Sequence, residues 1–306
     1  MAIIKKEHFG IARKIVSNMT AESWETIPHA CLTYEPEVTA FMNECKKLNE
    51  GVTDKSKKIT INTVMIKVIC EGFKAAPKLN AHLEFNRKLV RGCLKTYDHV
   101  DVSMPMILPN GEMMTVNMHD MGNKTLTEMT EAINDTVRRA KNTDLTEVMF
   151  EVSLDNTLNN LKKGKVAQTI NRLIGSKTGK HKVKTLSGQA KKDYYSIPAT
   201  DRLTKYDIEQ GTTTISNLGS IYRDYRGVCT LLEIIPPQVT AFAIGAVQKK
   251  PTVVTDENGN DNIEIGKIMP ITIAIDHKAL DYGDIVPFIK RLDDIFANPE
   301  IIQSWK

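Results

Sequence analysis

Near the end of the sequence an apolar, β-forming run over 268–275 gives way to Asp276-His277-Lys278-Ala279-Leu280-Asp281. A histidine presented by a loop at a strand end can take up a proton near neutral pH, which is the work of a general base. Upstream, Thr212-Thr213-Thr214-Ile215-Ser216 has high β-propensity and runs into Asn217-Leu218-Gly219. A Ser216 hydroxyl leaving such a strand can donate to a developing oxyanion. Each stretch also has a plainer reading, the first as polar residues decorating a strand end and the second as an Asn-Leu-Gly turn. On residue types alone both readings stand.

Other chemistries lack their usual support. The sequence has no Gly-rich phosphate loop ending in Lys-Ser/Thr, no Gly-x-Gly-x-x-Gly, no Gly-x-Ser-x-Gly and no His-Glu-x-x-His. Its five cysteines (Cys31, Cys45, Cys70, Cys93, Cys229) are odd in number, scattered and without a Cys-x-x-Cys pair. They read as reduced core residues, with no disulfide framework and no metal site.

The elements that must carry these residues follow from hydrophobic spacing. The pattern predicts a helix over 9–24 with Ile11, Ile15, Val16 and Met19 inward, and a strand over 29–34 after Pro28. A second helix over 37–48 closes at Asn49-Glu50-Gly51. Ile61, Val64, Met65, Val68, Ile69 and Phe73 mark a third, ended by Pro77. Short β-like runs fill 79–121, with Asn110-Gly111 as a hairpin turn. A helix over 124–141 turns Leu126, Met129, Ile133 and Val137 inward, and 154–174 reads as an amphipathic helix or helix pair. The last third is mostly strand, with Val239–Val247 as a buried run and a turn at Asp256-Glu257-Asn258-Gly259. A closing helix over 284–296 ends it. Helices and strands intermix without a repeat or an obvious linker, which predicts a single α/β domain over 1–306.

With 306 residues, 41% hydrophobic and 25% charged, the chain has an ordinary globular composition and enough length for a large core. No apolar stretch approaches a membrane span, and the basic start lacks the apolar core of an export signal, so a cytoplasmic protein is expected. The net charge of +4 is unevenly spread. Residues 151–192 hold ten basic and two acidic side chains, a net +8, which leaves −4 for the rest. This segment is expected as a basic insertion, with 175–192 exposed or mobile. It could contact an acidic partner, the phosphates of a ligand or a membrane surface, or be a solvated insertion. Few aromatics interleave with its lysines, so nucleic acid is not an expected partner.

Taken together the motifs resemble the catalytic domain of the dihydrolipoyl acyltransferases of 2-oxo acid dehydrogenase complexes, relatives of chloramphenicol acetyltransferase. The family pattern Asp-His-Arg-x-x-Asp-Gly is similar to Asp276-His277-Lys278-Ala279-Leu280-Asp281-Tyr282, and Thr214 to Gly219 carries its Thr-Ile-Ser-Asn-Leu-Gly intact. Ile235-Pro236-Pro237-Gln238 resembles its Asn-Pro-Pro-Gln, and Pro77-Lys78-Leu79-Asn80 its Pro-x-Leu-Asn. Arg13-Lys14, Ser23, Thr26-Ile27-Pro28-His29 and Asn298-Pro299-Glu300 match its ends. Lys278 replaces the usual Arg, and Tyr282 stands where the family has Gly.

The resemblance implies a two-layer α/β sandwich of the coenzyme A-dependent acyltransferase fold, assembled as a homotrimer with active sites between subunits. It implies an enzyme that moves an acyl group between coenzyme A and a dihydrolipoamide-like thiol, without a metal. His277 would be the base, Ser216 the oxyanion donor, Asp281 the residue holding the histidine loop, and Arg13 a structural support. Arg13 lies only a dozen residues in, so the chain reads as free-standing, with any lipoyl group on a separate carrier or dehydrogenase component. Two other functions fit the same resemblance: a chloramphenicol-type acetyltransferase acting on a small hydroxyl or amine compound, and a catalytically silent trimeric scaffold.

Overall fold

The computed structural model describes residues 1–107, 113–162 and 166–306 of the chain. In chain order the elements are α1 (Ile11–Thr26), β1 (His29–Tyr34), α2 (Thr39–Lys47), α3 (Ile61–Ala75), β2 (Ala81–Asn86), β3 (Arg91–Thr96), β4 (Val102–Ile107) and β5 (Met113–Met118). There follow α4 (Leu126–Lys141), α5 (Leu145–Lys162), α6 (Val166–Lys177), α7 (Gly188–Ser196), α8 (Lys205–Ile208), β6 (Thr213–Asn217) and α9 (Leu218–Ile221). The chain ends with β7 (Thr240–Ile244), β8 (Gln248–Thr255), β9 (Asp261–Ile268), β10 (Ile271–Asp276) and α10 (Tyr282–Ala297). The expected strand over 29–34 is β1, residue for residue. The turn expected at Asn110-Gly111 lies outside the described residues.

The main sheet has the order β1-β10-β7-β6-β4-β5. β10 runs antiparallel to β1 and β7, whereas β6 is parallel to β7 and β4. All five residues of β7 and all six of β10 are buried, which explains why they read as unbroken apolar runs. Chain contacts divide the molecule into two units. The larger comprises Ser23–Pro105, Met118–Asn134 and Gly211–Lys306; the smaller comprises Met1–Glu22, Met106–Asn117 and Asp135–Gln210.

In the larger unit α3 and α10 form a helical layer on the sheet. Phe73 of α3, Phe242 of β7 and Phe288 of α10 pack with ring centroids 5.3–5.8 Å apart, joining both helices to the central strands. The expected stripe on α3 is in fact a full wrap, since every residue from Thr63 to Phe73 is buried. Gly72 lets α10 come this close: a Cβ there would lie 2.4 Å from Phe288 Cε2. On the other face Ala241 and Ala274 pack with Ile27 and Ile234.

The smaller unit is built on Ile11, Met114, Val116, Ala140, Met149 and Leu203. Glu147, fully buried at the start of α5, accepts from the Leu186 backbone N–H (3.1 Å) and the Tyr195 hydroxyl (3.2 Å) and pairs with Lys191 (2.7 Å). Part of 175–192, expected to be exposed or mobile, is thus tied to α5, and α7 begins within it. Val16 and Val137, expected inward, are exposed, as are Val166, Ile170 and Ile174 of α6.

Candidate active site

The loop after β10 is built around Asp276, whose side chain is almost entirely buried. Its carboxylate accepts from the Lys278 backbone N–H (3.0 Å) and pairs with the Lys278 ammonium (3.2 Å). Its carbonyl accepts from the N–H groups of Ala279 (2.9 Å) and Leu280 (3.1 Å), closing a tight turn. The turn is fastened to the connection between α1 and β1: the His277 N–H donates to the Pro28 carbonyl at 3.0 Å, and the Lys278 ammonium donates to the Thr26 carbonyl. The Thr26-Ile27-Pro28-His29 and Asp-His motifs, far apart in sequence, therefore meet here. Lys278 makes these contacts with a single ammonium.

The His277 side chain is 54% exposed, with Nδ1 3.0 Å from the Leu280 carbonyl oxygen. A carbonyl only accepts, so in the neutral ring Nδ1 carries the proton and Nε2 is the basic nitrogen. Asp281 Oδ1 lies 3.4 Å from the same Nδ1, from a carboxylate that is 82% exposed. Asp281 also opens α10, where its backbone N–H donates to Asp284 Oδ2 at 3.0 Å. That N–H, with Lys78 behind it at 3.0 Å, holds the Asp284 carboxyl below its ordinary range. Tyr282 begins the helix and points its ring to the surface, so its side chain is accommodated outside the turn.

Ser216 sits near the end of β6, half-buried and opposite Ala243 of β7. Next to it, Asn217 caps α9 by accepting from the Ser220 N–H (2.8 Å), while its amide donates to Asn62 of α3 (2.9 Å). Gly219 is required by a close approach: a Cβ there would lie 2.7 Å from the Gly245 carbonyl oxygen and 2.8 Å from Ala246 Cα. Gly219 and Gly245 thus belong to one contact.

The register shows how far apart the two candidates are. Ser216 is level with Ala243, and Ala243 with Thr272 of β10, whereas His277 lies five residues beyond Thr272 and two strands across. At a rise of about 3.3 Å per residue and a strand spacing of about 4.8 Å, this places them roughly 20 Å apart in one chain. His277 and Asp281 are brought together; Ser216 stands at the other end of the sheet. Arg13 belongs to the smaller unit, exposed on α1 beside an open hollow lined by Glu7, His8, Phe9 and Gly10.

Sequence reasoning missed what holds β6 in place. Gln238 of the Pro-Pro-Gln motif is buried; it donates to the Gly211 carbonyl (2.8 Å) and accepts from the Thr214 hydroxyl (2.7 Å). His82 donates through Nε2 to the same carbonyl (3.1 Å) and accepts at Nδ1 from Tyr97 (2.9 Å). Burial holds His82 below the ordinary imidazole pKa. His29, which accepts from the Ile234 N–H at Nε2 (3.1 Å), is lowered for the same reason. The motif was the only signal in the sequence for Gln238, and it carried no geometry.

The sequence profile of the 2-oxoacid dehydrogenases acyltransferase (catalytic domain) family matches residues 4–161 and 181–303, and the chain belongs to that family. The match passes over 162–180, inside the expected basic insertion.

Among known proteins the chain is similar to the dihydrolipoyllysine-residue acetyltransferase component of the pyruvate dehydrogenase complex from Rickettsia prowazekii. The two are 22% identical over 292 residues, covering 95% of this chain and 53% of the relative. The mitochondrial component from Schizosaccharomyces pombe is 23% identical, covering 94% and 44%. The chain thus spans about half the length of the curated relatives it matches. Its fold is shared with a probable dihydrolipoamide acetyltransferase from Listeria monocytogenes (TM-score 0.64, 15% identity, 96% and 94% covered). It is also shared with dihydrolipoamide acetyltransferase from Azotobacter vinelandii (TM-score 0.65, 14% identity, 99% and 95% covered). The expected α/β acyltransferase fold is therefore the one observed.

Proposed function

We propose that the chain transfers an acyl group between coenzyme A and a thiol of the dihydrolipoamide type. The observation that carries this reading is the His277 tautomer fixed by the Leu280 carbonyl, which leaves Nε2 free and basic at the exposed edge of the turn. The acceptor class is supported by the relatives' names, dihydrolipoyllysine-residue acetyltransferases.

A thiol with a pKa of about 8.5 is mostly protonated at neutral pH and needs a base to become nucleophilic. His277 Nε2 takes the thiol proton as the sulfur attacks the thioester carbonyl. Asp281 Oδ1 lies 3.4 Å from Nδ1 of this ring. A Ser216 hydroxyl donates to the oxyanion of the tetrahedral intermediate, an interaction typically worth about 3 kcal/mol. Collapse of the intermediate expels the second thiolate, which recovers the proton from His277. In the Azotobacter protein the roles in catalysis of a serine, a histidine and an asparagine were investigated, the last two four residues apart. His277 and Asp281 have the same spacing.

The separation of Ser216 from His277 within one chain favours sites shared between copies, with the histidine of one subunit facing the serine of the next. A trimer built this way also has a surface to bind through. On the β8–β9 hairpin, Pro251 pairs with Ile265 and Val253 with Ile263, so the four share a face, and both isoleucines are nearly 80% exposed. Arg13 is assigned a supporting structural role.

The test is turnover of acetyl-CoA and other acyl-CoAs with dihydrolipoamide, followed by free-thiol release. Wild-type protein is expected to turn over, and His277→Ala to lose about 10²- to 10⁴-fold in kcat. Wild-type protein inert across the panel contradicts the proposal.

A further inference from the structure

We infer that Gln238 is a positioning residue that sets the pose of Ser216 through Thr214. The inference rests on the reading of Ser216 as the oxyanion donor.

Gln238 is 1% exposed and lies three residues before the start of the β7–β6 ladder, where Thr214 pairs with Ala241. Its side-chain amide is satisfied at both ends. Nε2 donates to the Gly211 carbonyl at 2.8 Å and reaches Ser103 Oγ at 3.3 Å. Oε1 accepts from the Thr214 hydroxyl at 2.7 Å. Ser103 in turn accepts from the Gly211 N–H at 2.9 Å and stands opposite Thr214 in the β4–β6 pairing. One glutamine therefore grips β6 at its entry and again at Thr214.

Strand periodicity gives this grip its consequence. Successive side chains alternate between faces, so Thr214 and Ser216 point to the same side of β6. Beyond Ser216, the hydrogen bond that the Asn217 side-chain amide donates to Asn62 Oδ1 and the Asn217 cap on α9 fix the chain again. Ser216 is thus the residue between two clamps, and only the first depends on Gln238. An oxyanion donor acts through a fixed direction and distance, so small rotations of the strand reduce catalysis before they reduce substrate binding. Gln238 itself is placed by Pro237, whose carbonyl accepts from the Leu83 N–H at 2.8 Å, and by a bridge to His82. The Pro-Pro-Gln motif therefore acts on the serine motif at a distance, and does not itself touch substrate.

The experiment is a double-mutant cycle on kcat with acetyl-CoA and dihydrolipoamide, using Gln238→Leu, Thr214→Val and Thr214→Ser, each in the wild-type and Ser216→Ala backgrounds. Gln238→Leu and Thr214→Val are expected to lower kcat about tenfold in the wild-type background, with KM for acetyl-CoA unchanged, and less than about twofold when Ser216 is already alanine. Thr214→Ser, which keeps the hydroxyl, is expected to restore kcat. If Gln238→Leu does not fold, the Thr214 pair alone decides. Equal losses in both backgrounds, a loss confined to KM, or no loss overturns the inference. Wild-type protein without turnover, or Ser216→Ala as active as wild type, overturns the underlying reading of the site instead.

Discussion

Ser216 and His277 lie at opposite ends of one sheet, five residues apart in register and two strands across. β10 runs antiparallel to β7 while β6 runs parallel to it, so the two strands deliver their terminal residues in opposite directions. Rotamer changes cannot close a gap of roughly 20 Å, since a serine side chain reaches only about 2 Å from its backbone. This separation is what supports the proposal that the two act on one carbonyl across two copies of the chain.

Gly219→Ala tests the packing beneath the serine motif. The new Cβ would meet backbone atoms of Gly245 and Ala246 at 2.7–2.9 Å, none of which can swing aside. The variant is expected to lose about 1–3 kcal/mol of stability, measured by urea denaturation, together with most of its turnover. Gly283→Ala is the control, because a Cβ there meets nothing within 4 Å; its stability is expected to stay within about 0.5 kcal/mol of wild type. Equal behaviour of the two variants would contradict the packing argument.

Glu147 is expected to hold the second half of the basic segment in place. Glu147→Ala leaves the Leu186 N–H and the Tyr195 hydroxyl without this acceptor and removes the charge partner of Lys191. The expected cost is about 2 kcal/mol, with faster proteolysis between residues 178 and 192. Cleavage at the wild-type rate would show that the segment is held by something else.

Stability should fall on mild acidification. Burial keeps His82 and His29 below the ordinary imidazole pKa, so between about pH 7 and pH 5 the unfolded chain binds protons that these native histidines refuse. Their contribution is complete above about pH 6.5 and is lost as pH falls toward their folded values. His99, raised by its contact with Asp98, works in the opposite direction, but from an exposed site. Tm is expected to be lower at pH 5.5 than at pH 7.5, and His82→Gln should flatten the slope. A Tm that rises on acidification would contradict this assignment.

Local order was legible in the sequence where periodicity and punctuation agreed. Pro28 and the run that follows it gave β1, and the helix ended by Pro77 gave α3. Periodicity failed in α6, where Val166, Ile170 and Ile174 keep helical spacing yet remain exposed. The motifs placed His277 and Asp281 in a loop after a strand and Ser216 at a strand end, which is where they lie. Their separation was expected only through the resemblance, with its active sites between subunits; periodicity could not give it, because it depends on which strand pairs with which and in what register. Gln238 escaped for a related reason: its partners Gly211, Thr214 and Ser103 meet it only through the folded sheet.

The sharing of sites between copies is tested most directly by mixing. His277→Ala and Ser216→Ala proteins, each expected to keep no more than about a hundredth of wild-type turnover alone, are unfolded together in equal amounts and refolded, and acyl transfer from acetyl-CoA to dihydrolipoamide is measured. In randomly mixed trimers, about one site in four pairs an intact histidine with an intact serine from the neighbouring copy, so about a quarter of wild-type activity should return. A mixture as inactive as either variant, beside a wild-type control that refolds to full activity, would contradict a site built from two copies.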